Sequence, residues 1–201
     1  MTTTNEMTEL SPLPEYVTPE YLEHLQLRGG CGSGEEGDCC AIQERRRWDG
    51  LDSKSDAIPE TDSLLVGKLL IRLSDCSDVW RSKLGPCLVK LRGSGRDERT
   101  ETRRALRLCD WSLREVLPEA IDIAVKLSDG DSESTRELVK LAADLRAAKS
   151  VLQAFDGQMA EAGSDAALAA LARSEEEIWP QIASLLDELL AMGSQAETAA
   201  T

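Results

Sequence analysis

From Asp62 onward the apolar residues return every three or four positions, and no stretch alternates with the period of two that a half-buried strand needs. Leu64, Leu65, Leu69, Leu70 and Leu73 form one such row, which predicts a helix of about three turns beginning near Asp62. Ser77 is placed to cap a short helix carrying Val79, Trp80 and Leu84, and Gly85-Pro86 predicts a break before Cys87, Leu88 and Leu91. After the loop Gly93-Ser94-Gly95, Ala105, Leu106, Cys109, Leu113 and Val116 share one face of a long helix from about Asp97 to Leu127. Pro118 lacks an amide hydrogen and should kink or split it. Ser134 with Glu137, and Ser174 with Glu177, have capping-box spacing. The first opens a row of Leu138, Leu141, Ala142, Leu145, Leu152 and Phe155; the second opens Ile178, Ile182, Leu185, Leu186 and Leu189, with Pro180 inside it. A shorter helix is expected between them, over 164–173.

Ahead of Asp62 the pattern is more broken. Residues 1–17 are Thr-rich, contain Pro12 and Pro14, and read as a disordered arm. Thr18 and Pro19 then start a short helix with Tyr21, Leu22 and Leu25 on one edge. Gly29 to Asp38 holds five glycines and reads as a connector. Asp38 should cap a helix running to Trp48, with Cys39, Cys40 and Ile42 inward and Arg45, Arg46 and Arg47 in solvent. Asp49-Gly50 ends it, and residues 51–60 form a polar loop. The expectation is an all-α, irregular multi-helix bundle. One helical domain, 18–192, comprises N-terminal helices over 18–127 and a C-terminal hairpin or bundle over 131–192, followed by a disordered tail, 193–201.

Composition agrees with this reading. Aromatics are only 3% of the residues, so the core must be built from Leu, Ala, Ile and Val, of which the first two are strong helix formers. The net charge of −14 is uneven: residues 1–40 contribute −7, residues 41–110 contribute +3 and residues 111–201 contribute −10. Phosphate backbones are bound by clustered Lys and Arg, so the acidic whole argues against a nucleic-acid partner. No apolar run approaches the twenty residues of a membrane span, and the first thirty residues lack the apolar core of a secretory signal. A cytoplasmic protein is expected, in which Cys31, Cys39, Cys40, Cys76, Cys87 and Cys109 stay reduced.

Candidate chemistry is sparse. His24 is the single histidine, and Cys31 is the thiol best placed to pair with it, but nothing fixes the two within reach; an exposed His at a helix end is the plainer reading. The glycine loop lacks the preceding strand and the Gly-Lys-Ser/Thr ending of a phosphate cradle, and Glu35 and Glu36 would repel phosphate. Cys39, Cys40 and Glu44 offer metal-binding atoms without the paired knuckle spacing of structural zinc, so no cofactor is expected. Glu175-Glu176-Glu177 suits a helix N-terminus. The arginines are more distinctive: Arg45, Arg46 and Arg47 beside Trp48, then Arg103, Arg104, Arg107 and Arg114. Arg103 and Arg107 share a helix face. Such residues either pair with the chain's own acids or grip a phosphate or an acidic partner. Trp48, Trp80, Trp111 and Trp179 are the large anchors, mostly for the core, with one or two available to rim a partner site.

Cys39 or Cys40, Glu44, Trp48, Gly50, Ser55-Asp56, Ser74-Asp75, Trp111, Arg114 and Pro118 together resemble a pattern shared by an uncharacterised group of small proteins from actinobacteria and their phages. The resemblance covers about residues 20–125. The group usually has a Cys after the Ser-Asp loop, where Glu60-Thr61 stands in this chain. It implies a helical fold and a mobile-element setting. The expected function is that of a non-enzymatic interaction or accessory protein, binding a protein partner through Arg45, Arg46, Arg47, Trp48, Arg103 and Arg107. The alternatives are an acidic mimic of nucleic acid, using the −10 C-terminal region, and a small metalloprotein around Cys39, Cys40 and Glu44.

Overall fold

The computed structural model describes residues 10–127, 133–147 and 175–192, and every regular element among them is helical. The chain divides into two compact units, one ending at Asp97 and one spanning Glu98–Met192. The division falls between Asp97 and Glu98, just after the glycine loop 93–95 and ahead of the 127/131 subdivision that the sequence suggests. The expected helix over 164–173, the residues Leu152, Phe155 and Ser174, the tail 193–201 and the first nine residues of the arm lie outside the described residues.

The first unit holds α1 (Pro19–Glu23), α2 (Ala41–Trp48), α3 (Leu64–Cys76), α4 (Asp78–Arg81) and α5 (Gly85–Leu91). Thr18 caps α1 by accepting from the Tyr21 amide, Ser63 caps α3 by accepting from Val66, and Ser77 caps α4 by accepting from Trp80. α3 buries Val66, Leu69, Leu70 and Leu73 and packs on α2 and α4, and Trp80, Leu84, Leu88 and Leu91 are buried in the same unit. Each such side chain contributes about 1.5–3 kcal/mol by leaving water. Gly85-Pro86 begins α5 instead of breaking the chain, because a proline in the first turn costs no hydrogen bond. Gly85 is required for space: a Cβ there would lie 2.6 Å from the Leu22 carbonyl oxygen, so α1 and α5 touch backbone to backbone.

Two expectations for this unit are corrected. Asp38 does not cap α2. The helix starts three residues later, with Cys40 at its N-cap, and Asp38 instead accepts from the Ser33 amide and from Arg28. Nor do residues 10–17 form a loose arm: Val17 closes a turn onto Pro14, the Ser11 carbonyl accepts from Arg92, and Tyr16 packs edge-on against Tyr21.

The second unit begins with α6 (Glu98–Trp111), passes through a π-helical turn (Ser112–Val116) into α7 (Leu117–Leu127), and adds α8 (Glu133–Ala147) and α9 (Glu175–Ala191). The π turn has a local cause. The Pro118 ring would clash with the Arg114 carbonyl in a regular α-helix, and widening the preceding turn relieves it, with the Leu117 amide donating to Ser112. The expected split therefore appears as a change of pitch within one continuous rod. α8 packs on α7 and on the π turn, while α9 packs on α6. α8 starts at Glu133, so Ser134 lies inside it and not at its cap. α9 continues through Pro180.

The buried face of α6 is not the predicted one. Thr100, Arg104 and Trp111 point inward, whereas Leu106 is 42% exposed. The reason is Arg104, whose Nε donates to the Leu189 carbonyl at 2.8 Å, in the last turn of α9. That carbonyl is among those a helix C-terminus leaves unpaired, and a cation favours that end of the dipole. Arg104 thus rotates α6 toward α9, with Glu101 accepting from its guanidinium.

Candidate functional site

The arginine run of α2 and its neighbours form two buried polar clusters, both made by the local geometry of one short helix. Residues 44, 47 and 48 fall on one side of α2 and meet α1; residues 45 and 49 fall on another and meet the loop before α3.

In the first cluster Glu44 is the hub. Its Oε1 accepts from the Tyr21 hydroxyl at 2.6 Å, from Trp48 Nε1 at 2.8 Å and from Arg47 Nη2 at 3.0 Å, and its Oε2 accepts from Arg47 Nε at 3.1 Å. Burial pushes this carboxyl's pKa up, but the bonds from Arg47, Tyr21 and Trp48 outweigh it and leave the pKa below the usual value. Burial and the bond to Glu44 push the Tyr21 hydroxyl up to about 12, and the bond to Glu44 raises the Arg47 guanidinium. Arg47 also lies over the Tyr16 ring, 5.5 Å from its centroid. Glu44 is thus ionised and saturated with donors. It is not poised to move a proton.

In the second cluster Arg45 is wholly buried, its Nη2 2.9 Å from Asp62 Oδ1 and its Nη1 2.6 Å from Asp49 Oδ2. Asp62 Oδ1 also accepts from the Gly93 amide and the Thr61 hydroxyl, and Asp49 accepts from Arg92 Nε at 2.6 Å. Asp62 Oδ2 and Arg45 Nε are buried without a hydrogen-bond partner among the described residues. Burial accordingly raises the Asp62 carboxyl, and the Arg45 charge and the Gly93 amide offset this only in part.

These contacts correct the reading of Arg45, Arg46 and Arg47 as a solvated face. Arg45 is enclosed, Arg47 is held by Glu44 and Tyr16, and Arg46 donates to the Asp52 and Ala57 carbonyls, fixing the polar loop that follows α2. Trp48 is 2% exposed and spends its N–H on Glu44, so Arg45 and Trp48 present nothing to a partner. A helix of eight residues carrying three arginines lies beside Glu44, Asp49 and Asp62. The chain's own acids take two of the three.

α6 differs. Arg107 donates through Nε to both Glu188 oxygens, at 2.8 and 3.0 Å, and so belongs to the α6–α9 contact. Arg103, by contrast, is exposed and makes no hydrogen bond or ion pair among the described residues; the same holds for Arg99, one turn earlier, which sequence reasoning passed over. With Thr102 and Leu106 these two arginines make a continuous exposed stripe at three- and four-residue spacing. The signal for Arg99 was available in its i, i+4 relation to Arg103.

The cysteines and the histidine complete the inventory. His24 ends α1 and is exposed, while the Cys31 thiol donates to Asp56 Oδ2 at 3.0 Å, so no Cys–His dyad forms. Cys31, Cys40, Asp56, Ile71 and Asp75 line a recess of about 30 Å³, room for a water molecule or two. Cys39 is buried and donates to the Glu35 carbonyl; burial and Glu44 push its thiol up to about 11. Among the described residues no three His, Cys, Asp or Glu side chains are grouped to hold a metal ion, and Glu44 has its lone pairs taken, so Cys39, Cys40 and Glu44 do not form the ligand set considered above. Three of the tryptophans, Trp48, Trp80 and Trp111, are buried, and Trp179 is half-buried. No described helix is long and apolar enough to cross a membrane.

Comparison with family models, with curated proteins and with solved structures gave no match.

Proposed function

We propose that the protein is a non-enzymatic interaction or accessory protein that docks an acidic segment of a protein partner on the α6 stripe Arg99–Thr102–Arg103–Leu106. The observation that carries this reading is that Arg99 and Arg103 are exposed and have no charge partner among the described residues, in a chain of net charge −14 whose other α6 and α2 arginines have found acids or carbonyls. Two cations one turn apart, with an apolar side chain beside them, match an acidic helix or strand that also carries a large apolar residue. The polar groups that would serve catalysis support it from the other side: Glu44 is ionised and saturated, and the Cys31, Cys39 and Cys40 thiols are all pushed toward their protonated form. A cytoplasmic setting and a mobile-element origin go with the proposal, resting on the sequence resemblance and the reduced cysteines.

The test is a photo-crosslinking residue placed at Leu106, with a matched one at Leu64 on α3 as the control face. A partner captured from Leu106 and lost in Arg99→Glu/Arg103→Glu supports the docking stripe. Equal capture from both positions, or capture indifferent to the charge reversal, removes it. For the acidic-mimic reading, which uses the C-terminal region, the bearing observation is that Glu188 is engaged by Arg107 of the same unit.

A further inference from the structure

We propose that Cys31 and Cys40 are a thiol pair that closes to an intramolecular disulfide when the protein meets a disulfide oxidant of the glutathione class. The pairing is built by Gln43, whose fully buried Oε1 accepts from two amides at once, Gly32 at 2.8 Å and Cys40 at 3.0 Å. One acceptor atom shared by two donors holds those nitrogens within about 6 Å of each other. Gln43 Nε2 returns a bond to the Gly32 carbonyl, so Gly32, the residue following Cys31, is held at both its amide and its carbonyl. Gly32 is required there, because a Cβ would lie 1.9 Å from the Asp38 carbonyl oxygen. On the other flank the Gly30 amide donates to Asp75 at 2.7 Å.

Cys31 is therefore fixed on both sides along the backbone while its side chain opens onto the recess it shares with Cys40. A disulfide needs Cα atoms about 4.4–6.8 Å apart and Cβ atoms about 3.5–4.5 Å apart. The recess leaves the Cys31 side chain room to turn from Asp56 toward Cys40. Cys39 looks elsewhere: its thiol is bonded to the Glu35 carbonyl and feels Glu44, whereas Cys31 and Cys40 both feel Asp56 and Asp75. The exposures suit the order of events, with Cys31 exposed to the oxidant and Cys40 buried as the resolving thiol.

The chemistry balances as ordinary exchange. The Cys31 thiolate, its proton given to Asp56 or to water, attacks one sulfur of the oxidant; that S–S bond breaks and the first thiol leaves with a proton. The Cys40 thiolate then attacks the Cys31 sulfur of the mixed disulfide and expels the second thiol. Two protein thiols lose two electrons and two protons, and the oxidant's disulfide becomes two thiols. Asp56 sets the rate. The hydrogen bond it accepts, with some burial, pushes the Cys31 thiol up to about 11, so the thiolate fraction at neutral pH is on the order of one in ten thousand. The low thiolate fraction makes closure slow at neutral pH.

The experiment exposes the full chain to oxidised glutathione and digests it at Glu35 and Glu36, which separates Cys31 from Cys39 and Cys40. The expected result is the loss of two thiols with no retained glutathione, fragments joined through Cys31, and the same outcome in Cys39→Ser. Cys31→Ser and Cys40→Ser should both abolish it; the second keeps its fold because serine is a preferred N-cap. Dibromobimane, which fluoresces when it bridges two close thiols, should light up on the reduced protein and on Cys39→Ser, but on neither of the other variants. Asp56→Asn should speed closure at neutral pH by tenfold or more. A stable glutathione adduct on Cys31 with Cys40 still free, or a Cys31–Cys39 linkage, would overturn the assignment.

Discussion

α2 and α6 carry similar arginine-rich runs and treat them in opposite ways. In α2 the charges are drawn inward: Arg45 is enclosed between Asp49 and Asp62, and Arg47 is held by Glu44, Tyr21 and Tyr16. In α6 one arginine of the run, Arg104, goes inside to meet a helix C-terminus, Arg107 pairs at the edge, and Arg99 and Arg103 remain outside. The difference lies in what surrounds each helix. α2 is short and bounded by segments that each bring a carboxylate, so Arg45 and Arg47 meet a counter-charge before they meet solvent, and Arg46 meets backbone carbonyls. α6 is a longer rod whose outward stripe has no neighbouring acid among the described residues to fold back on it. An arginine run in a sequence thus announces a guanidinium cluster, and the supply of nearby carboxylates decides whether that cluster is structure or surface.

The sharpest way to break this contrast is to remove one partner of the enclosed pair. Arg45→Met should cost the first unit about 3–5 kcal/mol, because it leaves Asp62 buried and uncompensated. That is a large part of the 5–15 kcal/mol that holds a typical domain together, so chemical denaturation should show a much lower midpoint or an unfolded unit. Arg45→Met/Asp62→Leu should recover most of the loss, since an apolar pair of similar volume needs no solvation. If the double variant is no better than the single one, Arg45 acts by packing and not by charge.

The Glu44 cluster should respond next, and in the opposite sense to Asp62 when pH changes. Glu44 has its folded pKa lowered from 4.5, so its contribution is present above that value and is lost as pH falls through the folded pKa. Asp62 has its folded pKa raised from 3.8, so its contribution is present below 3.8 and is lost as pH rises through the folded value. Glu44→Gln should cost about 2 kcal/mol at neutral pH, because Arg47 loses its carboxylate and an amide nitrogen faces the guanidinium. It should also flatten the fall in stability on the acid side, whereas Asp62→Asn should remove the loss on rising pH. Denaturation midpoints followed across the acid range separate the two; parallel profiles for wild type and both variants would contradict the assigned directions.

Much of the fold was legible because helix signals are local. The Leu64–Leu73 row, the caps at Thr18 and Ser77, and the interruption at Pro118 each follow from a few adjacent residues. Where the reading failed, the missing information was tertiary. Leu106 looked like a core residue by period, but α6 is turned by Arg104 reaching the Leu189 carbonyl, which lies far along the chain. Arg45 looked solvated because a charged residue at a helix surface usually is; only the fold brings Asp62 to it. The clamp of Gly32 by Gln43 was likewise invisible, since a glutamine in the first turn of a helix carries no mark of the loop it will hold.

Smaller effects belong to α6. Arg107→Gln should cost at most about 1 kcal/mol, because the pair with Glu188 is partly exposed and screened, and added salt should reduce even that. Arg99→Glu/Arg103→Glu should change stability least of all, within about 0.5 kcal/mol per site, since both side chains are exposed and neither makes a hydrogen bond or ion pair among the described residues. What that variant should change is association. Reversing two unpaired charges on one stripe puts like charges against an acidic partner, which slows encounter and weakens the complex most at low ionic strength. The informative measurement is therefore the salt dependence of partner binding beside the denaturation midpoint. A variant that folds as wild type and binds with its salt dependence flattened or inverted identifies the stripe as a docking surface. One that binds as wild type at every salt concentration shows that α6, like α2, spends its arginines on something other than a partner.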